Sequence, residues 1–378
     1  MKFMHLSDLH LGKRVHEYSM IEDQEHILKE IAEIAAEEQV DAVLIAGDIY
    51  DKSVPSEEAV NLMDHFLFTL AARNHGVWMI SGNHDSAERV AFGSRLMRGE
   101  NIHIAPPYRG KLHTVAAEDE YGPLEITLLP FIKPSQVKRF FPEKEIHTYT
   151  DAVCAALSEG ENRGQRRILM THQFVTGALR CESEDPVVGG LDHVEVSAFE
   201  GFDYVALGHI HSPQHIGKET IRYCGTPLKY SFSEVSQKKS VTIVTMKEKG
   251  NISVETRPLH PRRDLKQIRG TYEELTQKSF YENTSYREDY MYITLTDEED
   301  VPDAVSRLQV IYPYIMKLDY DNTRTKNHHR IDAAEEAENR TPMELFEELY
   351  ELQNNQPMSK EQRTFASALM EKIMEEEV

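Results

Sequence analysis

The chain has 378 residues, 40% of them hydrophobic, and a net charge of −22. That length and apolar content suit a full core and exclude a single small domain, and the acidity argues against a simple DNA-coating protein, because phosphate binding needs local positive charge. No apolar run approaches the ~20 residues that span a bilayer, no N-terminal run has signal-peptide order, and Cys154, Cys181 and Cys224 form no CxxC pair or disulfide framework, so a reducing cytoplasm and free thiols are expected.

Taken in chain order, Lys2–Leu6 reads as a strand and Glu22–Glu38 as a helix with Ile27, Leu28, Ile31 and Ile34 on one face. Ala42–Ile45 is a strand, Ser56–Ala71 a helix and Val77–Ile80 a strand, an alternation that predicts an α/β domain. Asp85–Met97, with Val90, Ala91, Leu96 and Met97, reads as a further helix. Later runs, Glu125–Leu129, Arg167–Met170, Tyr204–Leu207, Ile221–Cys224 and Val241–Thr245, have few helices between them, which predicts a more antiparallel sheet. Around Arg257–Gly270, two prolines and five basic residues predict a linker, read first as a solvated crossing strand and second as a DNA-facing patch. Thr271–Asp319 then reads helix, strand (Tyr290–Leu295), helix (Pro302–Ile311), strand (Ile315–Leu318), followed by a polar tether, Asn322–Arg340. Two helical segments come last. Thr341-Pro342-Met343-Glu344 and Ser359-Lys360-Glu361-Gln362 are capping boxes, and Phe346, Leu349, Phe365 and Leu369 mark their apolar faces.

Five short motifs carry candidate chemistry: Asp8-Leu9-His10, Gly47-Asp48-Ile49-Tyr50-Asp51, Gly82-Asn83-His84-Asp85, Thr171-His172-Gln173 and Gly208-His209-Ile210-His211. Each follows an apolar run, and the C-terminal edge of an α/β sheet is where loops converge on ligands. Carboxylate, amide and imidazole donors without a thiolate suit two divalent cations, Mn²⁺ first, with Fe²⁺ or Mg²⁺ as alternatives. Two ions about 3.5–4 Å apart need a shared ligand, and Asp48, with two carboxylate oxygens, is the bridging candidate. Asp8, His10 and His211 complete one site; Asn83, His172 and His209 complete the other. A bridging water acidified to hydroxide would attack phosphorus in line, while the cations neutralise the phosphoryl oxygens. His84 is assigned to transition-state stabilisation or to protonation of the leaving oxygen, and Asp85 is placed to orient it. Lys13 and Arg14 are candidate phosphate contacts. Singly, each motif reads equally well as an ordinary turn or a surface histidine. Five of them in one order, all at strand ends, do not.

The five motifs resemble the calcineurin-like metallophosphoesterase superfamily over Met1 to about Tyr230. The resemblance implies an α/β, four-layer β-sandwich flanked by helices around a dinuclear centre. The ligand set alone also suits a phosphoesterase for small nucleotides or phosphoproteins, which would not need Thr271–Val378. Flanking sequence is similar to the bacterial SbcD nucleases: Ser7–Lys13, Ala46–Ala59, Cys224-Gly225-Thr226-Pro227, Tyr230–Glu234, the Pro258–Gly270 exit strand and the C-terminal LFEELYELQN. Asp51 stands where some archaeal and eukaryotic relatives carry histidine.

That second resemblance implies a manganese-dependent DNA nuclease of repair and recombination, cytoplasmic and nucleoid-associated. It implies 3′-to-5′ exonuclease action on duplex ends and endonuclease action on single strands and hairpins. It also implies a nuclease domain at 1–265, a capping domain at 266–321, a linker at 322–340 and a two-helix segment at 341–378 that grips an SbcC-like SMC-type ATPase. A homodimer is implied through the helices at 56–71 and 85–97, with Phe66 expected in its interface. A separate ATPase agrees with the sequence, since the Gly-Lys pairs at Gly12, Gly110 and Gly217 lack the Ser or Thr of a phosphate-binding loop. Charge is uneven: Thr271–Val378 carries −14 and the first 270 residues −8, several of the latter in the metal motifs.

Overall fold

Each apolar run read as a strand between Met1 and Met246 is one. The computed structural model describes residues 1–158, 164–184, 193–323, 343, 346–347, 349–350, 354 and 356–376, and the chain divides into two units, Met1–Asp264 and Leu265–Val378. The first unit holds β1 (Lys2–Leu6), β2 (Ala42–Ala46), β3 (Gly76–Ile80), β4 (Ile102–Ile104), β5 (His113–Asp119) and β6 (Gly122–Leu129). After them come β7 (Arg166–His172), β8 (Tyr204–Gly208), β9 (Gln214–Ile216), β10 (Lys218–Tyr223), β11 (Ser240–Met246) and β12 (Ile252–Pro258). One six-stranded sheet runs β12-β11-β1-β2-β3-β4 and a second runs β9-β10-β8-β7-β6-β5.

The two sheets share a buried cluster. Phe3, Leu44, Trp78 and Ile80 of the first meet Ile126, Leu128, Ile168, Met170 and Tyr204 of the second. The outer face of the first is covered by α1 (Ile21–Glu37) and α2 (Glu57–Ala72), which bury Ile27, Leu28 and Ile31, and Met63, Phe66 and Leu70. α3 (Tyr149–Leu157) covers the second through Ala152, Val153 and Ala156 against Leu169, Val205 and Leu207. Alternate residues of each strand thus point to opposite apolar layers, and four layers result.

The structure corrects several expectations. The second sheet is not mainly antiparallel: β6, β7, β8 and β10 are parallel neighbours, and only the edge strands β5 and β9 pair antiparallel. Among the described residues of its crossovers α3 is the one helix longer than a single turn, so closeness in sequence hid the parallel order. Asp85–Met97 is not one helix but two single turns, Ala87–Val90 and Ser94–Met97, broken at Gly93 with φ 73°. Phe66 faces inward at 2% exposure and is no surface residue; Phe68 at 70% and Leu96 at 85% are.

The Arg257–Gly270 stretch is not a free linker, because its two ends are β12 and β13 (Leu265–Gly270). Four of its basic groups meet the acidic side of α1: Arg257 pairs with Glu38, His260 with Glu30, Arg262 with Glu22, and Arg263 lies 3.8 Å from Asp23. Neutralised there, they support the solvated crossing strand over a DNA patch.

In the second unit β13, β14 (Tyr290–Leu295) and β15 (Ile315–Tyr320) form a parallel sheet. α4 (Tyr272–Thr276) and α5 (Ala304–Gln309) pack on it through Leu275, Ala304 and Leu308. The last helix, α6 (Lys360–Glu376), starts with a reciprocal cap: Gln362 N donates to Ser359 Oγ and Ser359 N to Gln362 Oε1. Most of the tether (324–340) and the Thr341–Pro342 cap lie outside the described residues. Among the described residues no helix is long and apolar enough to cross a membrane.

Candidate metal centre

The five motifs fall at or just beyond the C-terminal ends of β1, β2, β3, β7 and β8, with His172 and Gly208 the last residues of β7 and β8, all on one edge of the stacked sheets. Three main-chain bonds hold the first two loops side by side: Asp8 N to Gly47 O, His10 N to Asp48 O and Leu11 N to Ile49 O, at 2.9–3.0 Å. The chain is bent hard to do this. Asp8, His10, Asp48 and His209 have φ of 54°, 45°, 48° and 105°, which non-glycine residues rarely adopt. Such strain clusters where side chains must be aimed. Gly82 lets the third loop approach: a Cβ there would lie 2.1 Å from Asp48 Oδ1. Gly208 lets the sheets meet, since its Cβ would lie 1.9 Å from Ala46 O.

The side chains converge. Asp8, His10 and His211 place ligand atoms within 4.8 Å of one another, as do Asp8, Asp48 and His172, and His10, Asp48 and His84. His10 Nε2 is 3.1 Å from His211 Nε2. Asn83 Oδ1 lies 2.9 Å from both His172 Nε2 and His209 Nδ1. Asp48 Oδ2 is 3.3 Å from His172 Nε2 and 3.8 Å from His10 Nε2. His172 is aimed by its Nδ1, 2.8 Å from Ala46 O. This donor set, three oxygens and four imidazoles with no thiolate, fits a pair of borderline divalent cations.

Electrostatics follow from burial. Burial pushes His10 well below its ordinary pKa, leaving it neutral, and pushes the Asp8 carboxyl up. Burial also opposes charge on His172, but the adjacent Asp48 carboxylate outweighs it and raises His172 to about 9. Asp48 itself stays well below the carboxylate range: burial would raise it, and the surrounding histidines lower it more.

His84 is half-buried, at the open side of the cluster, with Nδ1 3.1 Å from Asp51 O and its main-chain N–H on Asp48 Oδ1. Asp85 takes a different part from the one expected. Its carboxylate accepts main-chain N–H groups of Gly82, Ile49 and Tyr50, which ties the second and third loops together. The His84 ring meets the Asp51 carbonyl through Nδ1. Burial and the Asp48 charge push Asp85 up to about 6. Lys13 is brought to the cluster, its ammonium 2.8 Å from Asp51 Oδ1 and over the Tyr230 ring. Arg14 is not: it is exposed in a small hairpin and bonded to the Glu17 carbonyl.

Sequence reasoning missed several supports. Gln24, buried on the apolar face of α1, donates to His10 O and accepts from Gly12 N; a polar residue inside the stripe of Ile27, Leu28 and Ile31 was the signal. Tyr230 donates to Leu9 O. Glu184 accepts His211 N, and Ser183 Oγ lies 2.7 Å from His211 Nδ1; no periodicity marks either residue.

Comparison with known proteins agrees with this geometry. The calcineurin-like phosphoesterase family matches residues 1–213, and the family described as the type 5 capsule protein repressor C-terminal domain matches residues 261–354. The SbcD subunit of the SbcCD nuclease from Staphylococcus epidermidis is 31% identical over 385 aligned positions, covering 100% of each chain. Its namesake from Staphylococcus saprophyticus is 33% identical over 88% of this chain and 89% of its own. A dimetal phosphatase structure from Danio rerio is 12% identical with a TM-score of 0.43, covering 68% of this chain and 96% of its own, too distant to bear on the site.

Proposed function

We propose that this chain, which belongs to the calcineurin-like phosphoesterases and within them to the SbcD nuclease family, is a manganese-dependent nuclease. It acts as a 3′-to-5′ exonuclease on duplex ends and as an endonuclease on single strands and hairpins. Membership makes it a metal-dependent phosphodiesterase; the metal and the DNA specificity are our reading. The observation that carries it is the position of Asp48, whose Oδ2 lies between His10 of one half of the centre and His172 of the other. Asp8, His10 and His211 would hold one ion and Asn83, His172 and His209 a second, with Asp48 shared. When bound, two such cations supply charge neutralisation at the phosphoryl oxygens and acidify water.

The chain's own groups do the rest. The Asp51 carbonyl accepts the His84 Nδ1 proton, which aims Nε2 into the site. A proton there meets either a phosphoryl oxygen or the leaving oxygen. Asp85 keeps the loops that carry Asp48 and Asn83 in register, and Lys13 adds positive charge beside the phosphate path. The test is manganese-dependent release of nucleotides from linear DNA, set against hydrolysis of p-nitrophenyl phosphate and bis-p-nitrophenyl phosphate. Cleavage of DNA and the diester is expected. Turnover of the monoester alone would favour a phosphoesterase for small nucleotides or phosphoproteins.

The partner we infer is an SbcC-like SMC-type ATPase, gripped by the C-terminal helices. Phe365 is 71% exposed, and Leu349 and Leu369 are each 49% exposed, apolar surface that a helix-in-groove contact would cover. Truncation before Thr341 should abolish co-purification with the ATPase and leave cleavage of single-stranded DNA intact. A homodimer through α2 and the turns at 87–97 is supported by exposed Val60, Phe68, Phe92 and Leu96. A DNA-processing role places the protein in the cytoplasm at the nucleoid, and we assign the second unit to shaping the DNA path.

A further inference from the structure

Glu234 and Lys239 are buried charges without a task so far, at 0% and 5% exposure. Taking an ion pair out of water is offset only where the remaining donors and acceptors are satisfied, so what the pair holds is informative. Lys239 Nζ is surrounded by four acceptors that share its three N–H donors: Glu234 Oε2 at 2.5 Å, Thr226 Oγ1 at 2.7 Å, Gln237 Oε1 at 2.8 Å and the His211 carbonyl at 2.9 Å. The other Glu234 oxygen, Oε1, accepts the Ser183 hydroxyl at 2.6 Å. Ser183 Oγ in turn lies 2.7 Å from His211 Nδ1.

A serine hydroxyl has one proton. Donated to the carboxylate, it leaves Oγ as an acceptor, so the bond to the imidazole has to come from Nδ1–H. His211 is then held in the tautomer whose Nε2 carries the lone pair. That Nε2 is the atom 3.1 Å from His10 Nε2, in the cluster with Asp8. The main chain of His211 is fixed from both sides as well, its N–H on Glu184 Oε1 at 2.7 Å and its carbonyl on Lys239.

We propose that Ser183, Glu234 and Lys239 form a positioning relay that fixes the tautomer and rotation of His211. The relay thereby sets the affinity of the ion that His211 shares with Asp8 and His10. It rests on the dinuclear reading of the site. Ser183 comes from the loop after β7, while Glu234 and Lys239 precede β11, so the relay also makes that one ion sensitive to how two separate segments pack.

The experiment titrates manganese by calorimetry into the full-length wild-type chain, Ser183→Ala and Ser183→Thr, with melting temperatures of the metal-free proteins taken in parallel. The relay requires Ser183→Ala to weaken one ion by about 10–100-fold, with the other ion and the metal-free melting temperature unchanged. Ser183→Thr, which keeps the hydroxyl, should bind both ions as wild type does. Unchanged affinity for both ions in Ser183→Ala overturns the relay. So does loss of both ions together with a lowered metal-free melting temperature, which marks Ser183 as a residue of the fold only. A wild-type chain that binds no manganese overturns the dinuclear reading first, and the relay with it.

Discussion

The first sheet delivers Asp8, His10, Asp48 and Asn83 to the centre; the second delivers His172, His209 and His211. The two halves are held by different means. Loops of the first sheet are laced to each other through main-chain bonds and the Asp85 carboxylate, with three ligands on left-handed backbone. The second sheet brings imidazoles only. Two of them are steered by side-chain or cross-sheet contacts: His172 by the Ala46 carbonyl of the first sheet, and His211 by Ser183. The three oxygen donors and His10 therefore ride on loops laced by main-chain bonds, and His172 and His211 of the second sheet are aimed by the groups behind them.

The largest effect should come where the halves meet. Asp48→Ala should abolish binding of both ions, a loss greater than the about 100-fold that removing an outer contact costs, and diester hydrolysis with it. His172→Ala, confined to the second half, should remove one ion and keep the other. Calorimetry that showed the same single loss in both variants would contradict a carboxylate shared by the two ions. Next comes His84→Ala, in the first half and proposed as a proton donor rather than a ligand. The rate on bis-p-nitrophenyl phosphate should fall about 10²–10³-fold while both ions bind as before; a lost ion would move His84 into the ligand set.

The outer face of the first sheet sharpens the contrast between support and surface. Phe66→Asp puts a charge into the layer between α2 and β3 and should cost about 3–5 kcal/mol of stability, as loss of a buried aromatic does. Phe68→Asp should leave the melting temperature unchanged and shift sedimentation from dimer to monomer. Equal behaviour of the two variants would contradict the burial on which that assignment rests.

The smallest effect lies at the far edge of the sheets. Asp119 on β5 accepts from Arg166 on β7 and from the N-terminal ammonium before β1, so it seams the two sheets. Burial would raise its pKa, but these two cations hold it well below the ordinary carboxylate range. A carboxyl depressed in the folded state stabilises above its unfolded pKa, about 3.9, and loses that stabilisation as pH falls below it. Asp119→Asn should cost about 1–2 kcal/mol at pH 7. The gap to wild type should begin to narrow only below about pH 3.9 and close as pH falls on toward the depressed folded pKa; a gap that stays constant with pH would exclude an ionic seam.

How much was legible in the sequence follows the same division. Donors of both sheets stand in short motifs at the ends of apolar runs, so Asp8, Asp48, Asn83, His172 and His211 could be singled out from residue order alone. Of the first sheet β1, β2 and β3 were legible, because helices at the 3.6-residue period separate them; β4, β12 and the return of β11 beside β1 were not. The parallel order of the second sheet was not. α3 is short and alanine-rich, and the described residues between His172 and Tyr204 hold no long helix. Nor were the braces: Ser183, Glu234 and Lys239 are polar residues in irregular segments, and only the folded chain brings them to His211. Asp85 shows the converse, a motif residue whose carboxylate accepts main-chain N–H groups of two loops, contacts that residue order did not suggest.

The most direct test of a jointly built centre is anomalous diffraction from crystals grown with manganese. Two peaks about 3.5–4 Å apart are expected. One should lie within reach of Asp8, His10 and His211, the other within reach of Asn83, His172 and His209, with Asp48 between them. A single peak, or a pair of peaks held by the loops of one sheet alone, would contradict a centre to which both sheets contribute.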